Sequence, residues 1–356
     1  MRMLKLAALF LACAITQSCA VPFYWQAAAG QLELIRKRTP IERVLADPNQ
    51  DEQVKVTLGR VPEIRRFAVE ELYLPSSKSY TTYVELGRPY VVWNVIATEE
   101  FSVNPKRWCY PFTGCVAYRG FFKLETAERF RASLERKGLD TYLAGAAAYS
   151  TLGYFADPVL STMLAGGEQY VASILFHELA HQVVYIKDDS ALSEAFATAV
   201  EEYGTERWLA RHADAEALER YRRKIRYRLE FSALVSRQQD RLRAIFAEDL
   251  PPEEMRALKA RAYEQMREEY AALKAAWGGA TDYDRWFEQP LNNAALASIA
   301  TYRRWLPTLK ARLEELGPRA FYAEMTELAE MSDISRQLVL ESWQNELGER
   351  RVADTT

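Results

Sequence analysis

The amino-acid sequence predicts an α+β fold, mostly α, in which a small β-sheet precedes one apolar helix and a long helical hairpin follows it. Three observations carry that prediction. β-branched and aromatic runs with strand character are confined to residues 80–146. From Thr205 onward the chain is charged, with apolar residues at three- and four-residue steps, such as Leu218, Tyr221, Ile225, Leu229, Phe231, Leu234 and Leu242. Between these regions an apolar run, Val171 to Phe176, leads into His177-Glu178-Leu179-Ala180-His181.

Residues 1–18 read as an export signal. Arg2 and Lys5 form a positive start, and the apolar run Leu6–Ile15 is too short to span a bilayer. Thr16-Gln17-Ser18-Cys19 resembles a bacterial lipobox, although Thr16 stands where such boxes carry Leu. Cleavage there would leave a lipidated Cys19 at the mature N-terminus. An ordinary secretory signal, or lipidation at Cys13 after a shorter apolar run, are the alternatives. Ala20 and Val21 follow Cys19, and neither is the Asp associated with inner-membrane retention. The expected location is therefore the outer membrane, facing the periplasm.

The chain has four cysteines, and only Cys109 and Cys115 lie outside the signal. Pro111 and Gly114 mark a turn between them, so the pair can close a small disulfide loop in an oxidising compartment. A metal or redox pair is the competing reading; the spacing and the lack of a nearby His weigh against it. The formal charge is −3, and losing Arg2 and Lys5 leaves −5. That balance, with no basic patch, excludes nucleic acid as an expected partner.

The elements follow in order. Val21–Ala46 reads as a helix kinked or split at Pro40, and Asp51–Glu71 as a second helix bent or broken at Pro62. Tyr80–Leu86 and Pro89–Ala97 read as strands joined in a hairpin at Gly87-Arg88. Val116–Phe122 is a third strand, Leu124–Gly138 a helix and Tyr142–Ala146 another strand. The turn-rich segment Tyr149–Leu160 offers either a wall of a cleft or a plain surface connection. After the His-bearing helix, Ser193 reads as an N-cap and Gly204 as a stop. Pro251-Pro252 divides the hairpin and Gly278-Gly279 ends it. Leu291 then starts a helix carrying Tyr302, and 318–344 form a final helix pair.

The chemistry concentrates at His177–His181. Four residues apart on a helix, the two imidazoles lie one above the other and can reach one zinc ion, while Glu178 can take a proton from the attacking water. Two of the three histidines of the chain sit in these five residues. His212, the third, reads as a surface histidine or, alternatively, as a second catalytic one.

Ser193-Glu194-Ala195-Phe196-Ala197 is similar to the Asn-Glu segment of gluzincin metallopeptidases, the thermolysin-like and aminopeptidase-N-like class. The resemblance implies Glu194 as third zinc ligand. Twelve residues separate His181 from Glu194, fewer than in those families, which keeps Glu201 as the alternative. Glu201 is seven residues further on and points the same way on a helix. A sheet, a helix, a strand and then the metal helix is also the order of a zincin-like catalytic half. More narrowly, Tyr24–Ala27, the Cys109/Cys115 loop running into Tyr118-Arg119-Gly120, Asp157-Pro158 and His177–Gly204 occur in this order in a family of bacterial proteins described as predicted lipoprotein aminopeptidases.

The regions expected are a signal over 1–18, a zincin-like catalytic region over 19–204 and a helical region over 205–356 packing back on it. The expected function is a zinc-dependent metallopeptidase. Aminopeptidase specificity rests on the resemblance alone, and Glu85, Glu168 or Glu202 is then available to hold the substrate's free amine. Tyr302 is a candidate oxyanion donor, with core packing as the other reading. The alternatives are an envelope structural or binding lipoprotein with a vestigial or structural zinc site, and a membrane-associated chaperone-like helical protein.

Overall fold

A computed structural model describes residues 20–110, 114–300 and 305–353 of the chain. Cys13, Cys19 and Tyr302 lie outside these residues. The fold is α+β and mostly helical, as its sequence predicts. Among the described residues no helix is long and apolar enough to cross a membrane.

The N-terminal helix is split. α1 (Ala20–Lys37) and α2 (Ile41–Ala46) are separated by the short strand β1 (Thr39–Pro40). α3 (Glu52–Glu70) runs unbroken through Pro62, and the Asp51 carboxylate caps it by accepting from the Val54 amide at 3.1 Å.

The predicted hairpin at Gly87-Arg88 does not form. β2 (Thr82–Val84) and β3 (Val92–Thr98) enter different sheets. β2 lies between β1, antiparallel, and β8 (Val159–Leu160), parallel. β3 lies between β6 (Arg119–Phe121) and β7 (Asp140–Ala146), antiparallel to both. Both strands thus have their two edges filled by other partners, which leaves no ladder for pairing with each other.

The strand predicted over Val116–Phe122 is also divided. β4 (Trp108–Tyr110) and β5 (Gly114–Val116) form a separate two-stranded ribbon, with Cys109 directly opposite Cys115 and their sulfurs bonded. α4 (Leu124–Glu135) crosses between β6 and β7.

The principal core lies around α6 (Gly167–His181), reached through the single-turn α5 (Ser161–Leu164). Its partner is α7 (Ser190–His212). Phe176, Phe196 and Trp208 are fully buried between these helices and their neighbours. Two expectations for α7 need correction. Asp189 is the N-cap, accepting from the Leu192 amide at 3.0 Å, while the Ser193 hydroxyl accepts from the Ile186 amide at 2.9 Å. Gly204 does not stop the helix, which runs on across the boundary expected there. A Cβ at Gly204 would come within 2.5 Å of Leu72 and 2.9 Å of Phe176, so glycine is needed for close packing on α6 rather than for a turn.

α8 (Ala215–Phe246) and α9 (Pro252–Ala276) form the predicted antiparallel hairpin. Its inner face is aromatic: Phe231 stacks on Tyr283 at 3.9 Å and Tyr270 on Phe287 at 4.0 Å. Phe287 belongs to the short α10 (Asp284–Phe287). α11 (Asn293–Ala300) returns to the sheet and packs on β3 and β7. The hairpin is tied to the same sheet by Lys259, which donates to Asp140 at 2.6 Å. α12 (Leu306–Glu330), kinked at Gly317-Pro318, and α13 (Asp333–Ala353) close the fold, with α12 packed along α7.

Candidate metal centre

α6 ends at His181, so His177 and His181 occupy its last turns on one face. Their Nε2 atoms lie 3.2 Å apart. Glu194, one turn into α7, completes a triangle: its Oε2 is 3.3 Å from His177 Nε2 and its Oε1 3.7 Å from His181 Nε2. These three residues form the single group of potential metal ligands among the described residues. A zinc ion with tetrahedral bonds of about 2.0–2.1 Å requires ligand atoms about 3.3 Å apart, so this donor set fits zinc.

Glu201 stands on the other side of the ring, its Oε2 3.1 Å from His177 Nδ1. A carboxylate there accepts the Nδ1 proton and leaves Nε2 directed at Glu194 and His181. The two helical positions that the sequence leaves as alternatives are therefore both at the site and differ in role: Glu194 faces the ligand triangle, and Glu201 backs it.

The electrostatics are those of a buried cluster. Burial lowers the His177 imidazole, but the hydrogen bonds to Glu194 and Glu201 outweigh it and raise it well above its ordinary value. Burial alone would raise Glu194; the His177 hydrogen bond and the His181 and His177 charges hold it low instead. Burial pushes His181 down to about 4, against the pull of Glu194. Binding a cation needs these groups deprotonated, so it would displace protons from them. Burial pushes the Glu178 carboxyl up to about 7; His177 opposes this, and Glu194 and Asp157 add to it. A carboxyl near neutrality is suited to taking and returning a proton.

The segment 149–160 is pinned by a buried carboxylate. Asp157, only 2% exposed, accepts from the Thr151 amide at 3.0 Å and the Thr151 hydroxyl at 2.8 Å, while its own carbonyl accepts from the Tyr80 amide at 2.6 Å. Gly153 passes over Gln182, the residue after the metal helix. Tyr154 and Phe155 project from this loop into solvent.

Other sequence candidates are placed elsewhere. Glu85 binds the Tyr83 hydroxyl at 2.6 Å, and Glu168 accepts from Arg60 at 3.0 Å and from Trp208 Nε1 at 3.1 Å. Glu202 is 2% exposed and paired with Arg228 and Lys310, so a substrate amine has no path to it. His212 is partly buried, stacked on Trp208 at 3.9 Å with Nδ1 3.6 Å from Glu63, and stands apart from the ligand group. Sequence reasoning missed Tyr118 and Tyr185. Burial raises both phenols and Glu194 raises them further, which places both hydroxyls in the field of the site; Glu178 adds to the effect at Tyr118. Tyr118 stands in a stretch that carries the family resemblance, but nothing in that stretch marks it as a site residue, and Tyr185 belongs to no motif among twenty tyrosines.

No curated protein and no solved structure matches the chain. A family described as "Putative aminopeptidase" matches residues 22–340, which include every element from α1 to α12 and the whole of the site. The chain belongs to this aminopeptidase family.

Proposed function

We propose that this protein is a zinc-dependent aminopeptidase in which His177, His181 and Glu194 hold the metal and Glu178 is the general base. Family membership points to peptidase activity. The metal reading is carried by one observation: two histidine nitrogens and a carboxylate converge with mutual separations of 3.2–3.7 Å beside a buried glutamate. Three protein ligands is also the number that catalytic zinc sites use, where structural sites use four.

Bound there, zinc supplies Lewis acidity, polarising the scissile carbonyl and acidifying water. Glu178 takes the proton of the attacking water and returns it to the departing amine nitrogen. Glu201 orients His177, and the loop anchored by Asp157 walls the site. Tyr118 and Tyr185, whose phenols feel the Glu194 charge, are our candidates for stabilising the charge that develops on the substrate oxygen. The protein is held in the cell envelope by a lipid on Cys19, on the periplasmic face of the outer membrane.

The test is metal analysis of the mature protein followed by aminoacyl chromogenic substrates with and without chelator. One zinc per chain and chelator-sensitive release of the N-terminal residue are expected. A metal-free protein that remains active would sink the proposal. For the anchor, Cys19→Ser should release the chain from the membrane; unchanged membrane association would remove the lipid from this account.

A further inference from the structure

Behind His177 runs a file of buried charges whose far members have no part in the account above. Glu201 divides its two oxygens: Oε2 faces His177 Nδ1 at 3.1 Å, and Oε1 faces Arg228 Nη1 at 3.6 Å. The other nitrogen of the fork, Arg228 Nη2, binds Glu202 Oε1. Glu202 in turn gives its second oxygen, Oε2, to Lys310 Nζ. The file His177–Glu201–Arg228–Glu202–Lys310 thus uses a different atom at every step. It crosses four helices: α6, α7, α8 and α12.

Its burial is deepest at Glu202. Side-chain exposure is 17% at Glu201, 24% at Arg228 and Lys310, and 2% at Glu202. A carboxylate as buried as Glu202 persists only with cations at hand, and it has two. With Glu202 held between Arg228 and Lys310, the Arg228 guanidinium cannot swing without taking one of its two cations from a buried carboxylate. With Arg228 fixed, the Glu201 carboxylate cannot rotate about its own axis without losing either His177 or Arg228.

We infer that Arg228, locked by Glu202 and Lys310, is a positioning residue for the metal centre: it holds Glu201 in the orientation that aims His177 Nε2 at the metal. Helices α8 and α12 thereby complete a site whose ligands all lie on α6 and α7. This inference rests on the zinc reading above. Partners of this kind typically contribute ten- to a hundredfold to metal affinity when they hold a ligating histidine.

The experiment measures zinc affinity of the mature chain by competition with a chromogenic chelator, alongside a thermal melt of the metal-free protein. The variant is Arg228→Met combined with Glu202→Gln, which removes the guanidinium together with the carboxylate of 2% exposure that it pairs, and leaves Lys310, at 24% exposure, open to solvent. Zinc affinity should fall roughly ten- to a hundredfold while a cooperative melt is retained. Arg228→Lys keeps the charge but loses the fork and should fall between this variant and wild type. Arg222→Ala, on the same helix but exposed, should leave affinity unchanged. Zinc affinity of the double variant within twofold of wild type overturns the inference while leaving the zinc site standing. If the double variant has no cooperative melt, Arg228→Lys decides, and a change below twofold overturns the inference. A wild-type chain that takes up no zinc overturns both readings.

Discussion

The α6–α7 pair and the α8–α9 hairpin are both helix pairs rich in named polar contacts, yet charge is handled in opposite ways. Along α8, Arg228 apart, the ion pairs Arg220–Glu216, Arg222–Glu219 and Arg243–Asp240 lie at the surface, with side chains 48–81% exposed. Such pairs are solvated and individually contribute little. Where α6 and α7 meet, the charged groups are buried or partly buried, and each has a specific partner: His177 with Glu194 and Glu201, Glu202 with Arg228 and Lys310. Burial makes those groups costly unless they are paired, so their presence marks chemistry where the exposed charge of the hairpin marks only a wet face. A count of charges along the sequence therefore points to the wrong region; the burial of each charge points to the right one.

The comparison predicts a graded series. The largest effect belongs to the ligands: His177→Ala, His181→Ala or Glu194→Ala should abolish zinc binding and hydrolysis together, read by metal analysis and turnover. If Glu201→Ala loses zinc and Glu194→Ala does not, the roles of the two glutamates are reversed. Next, Glu178→Gln should retain zinc but slow hydrolysis about a hundred- to ten-thousandfold. A Glu178→Gln protein with unaltered turnover would remove the general base from this account.

Smaller effects should appear in stability. Reducing the Cys109–Cys115 bond opens a short loop, so the loss should lie at or below the ~3 kcal/mol associated with fifteen residues, measured by denaturant titration. Thiols reactive before reduction, in protein isolated from the envelope, would contradict the bond. The smallest effect is expected in the hairpin. Arg222→Ala breaks solvated contacts to Glu206 and Glu219, and should leave the denaturation midpoint, zinc content and turnover essentially unchanged. A loss of activity there would break the contrast between the two helix pairs.

The comparison also separates what each level of description decides. Local features were legible in the residues alone: the His177/His181 spacing on α6, the Cys109/Cys115 loop and the long hairpin with its Pro251-Pro252 break. Each depends on residues close in sequence, whose geometry is set by helix periodicity or turn chemistry. Tertiary structure decided everything that depends on partners far along the chain. β2 and β3 read as a hairpin because both have strand character, but pairing depends on which other strands fill their edges. Glu194 and Glu201 share a helical face, and only the approach of α7 to α6, close at Gly204 and Phe176, sends one to the ligand triangle and the other behind His177. Tyr118, Arg228 and Lys310 were invisible for the same reason. A group's chemistry follows from its burial and its neighbours, and neither is encoded in any short stretch of sequence.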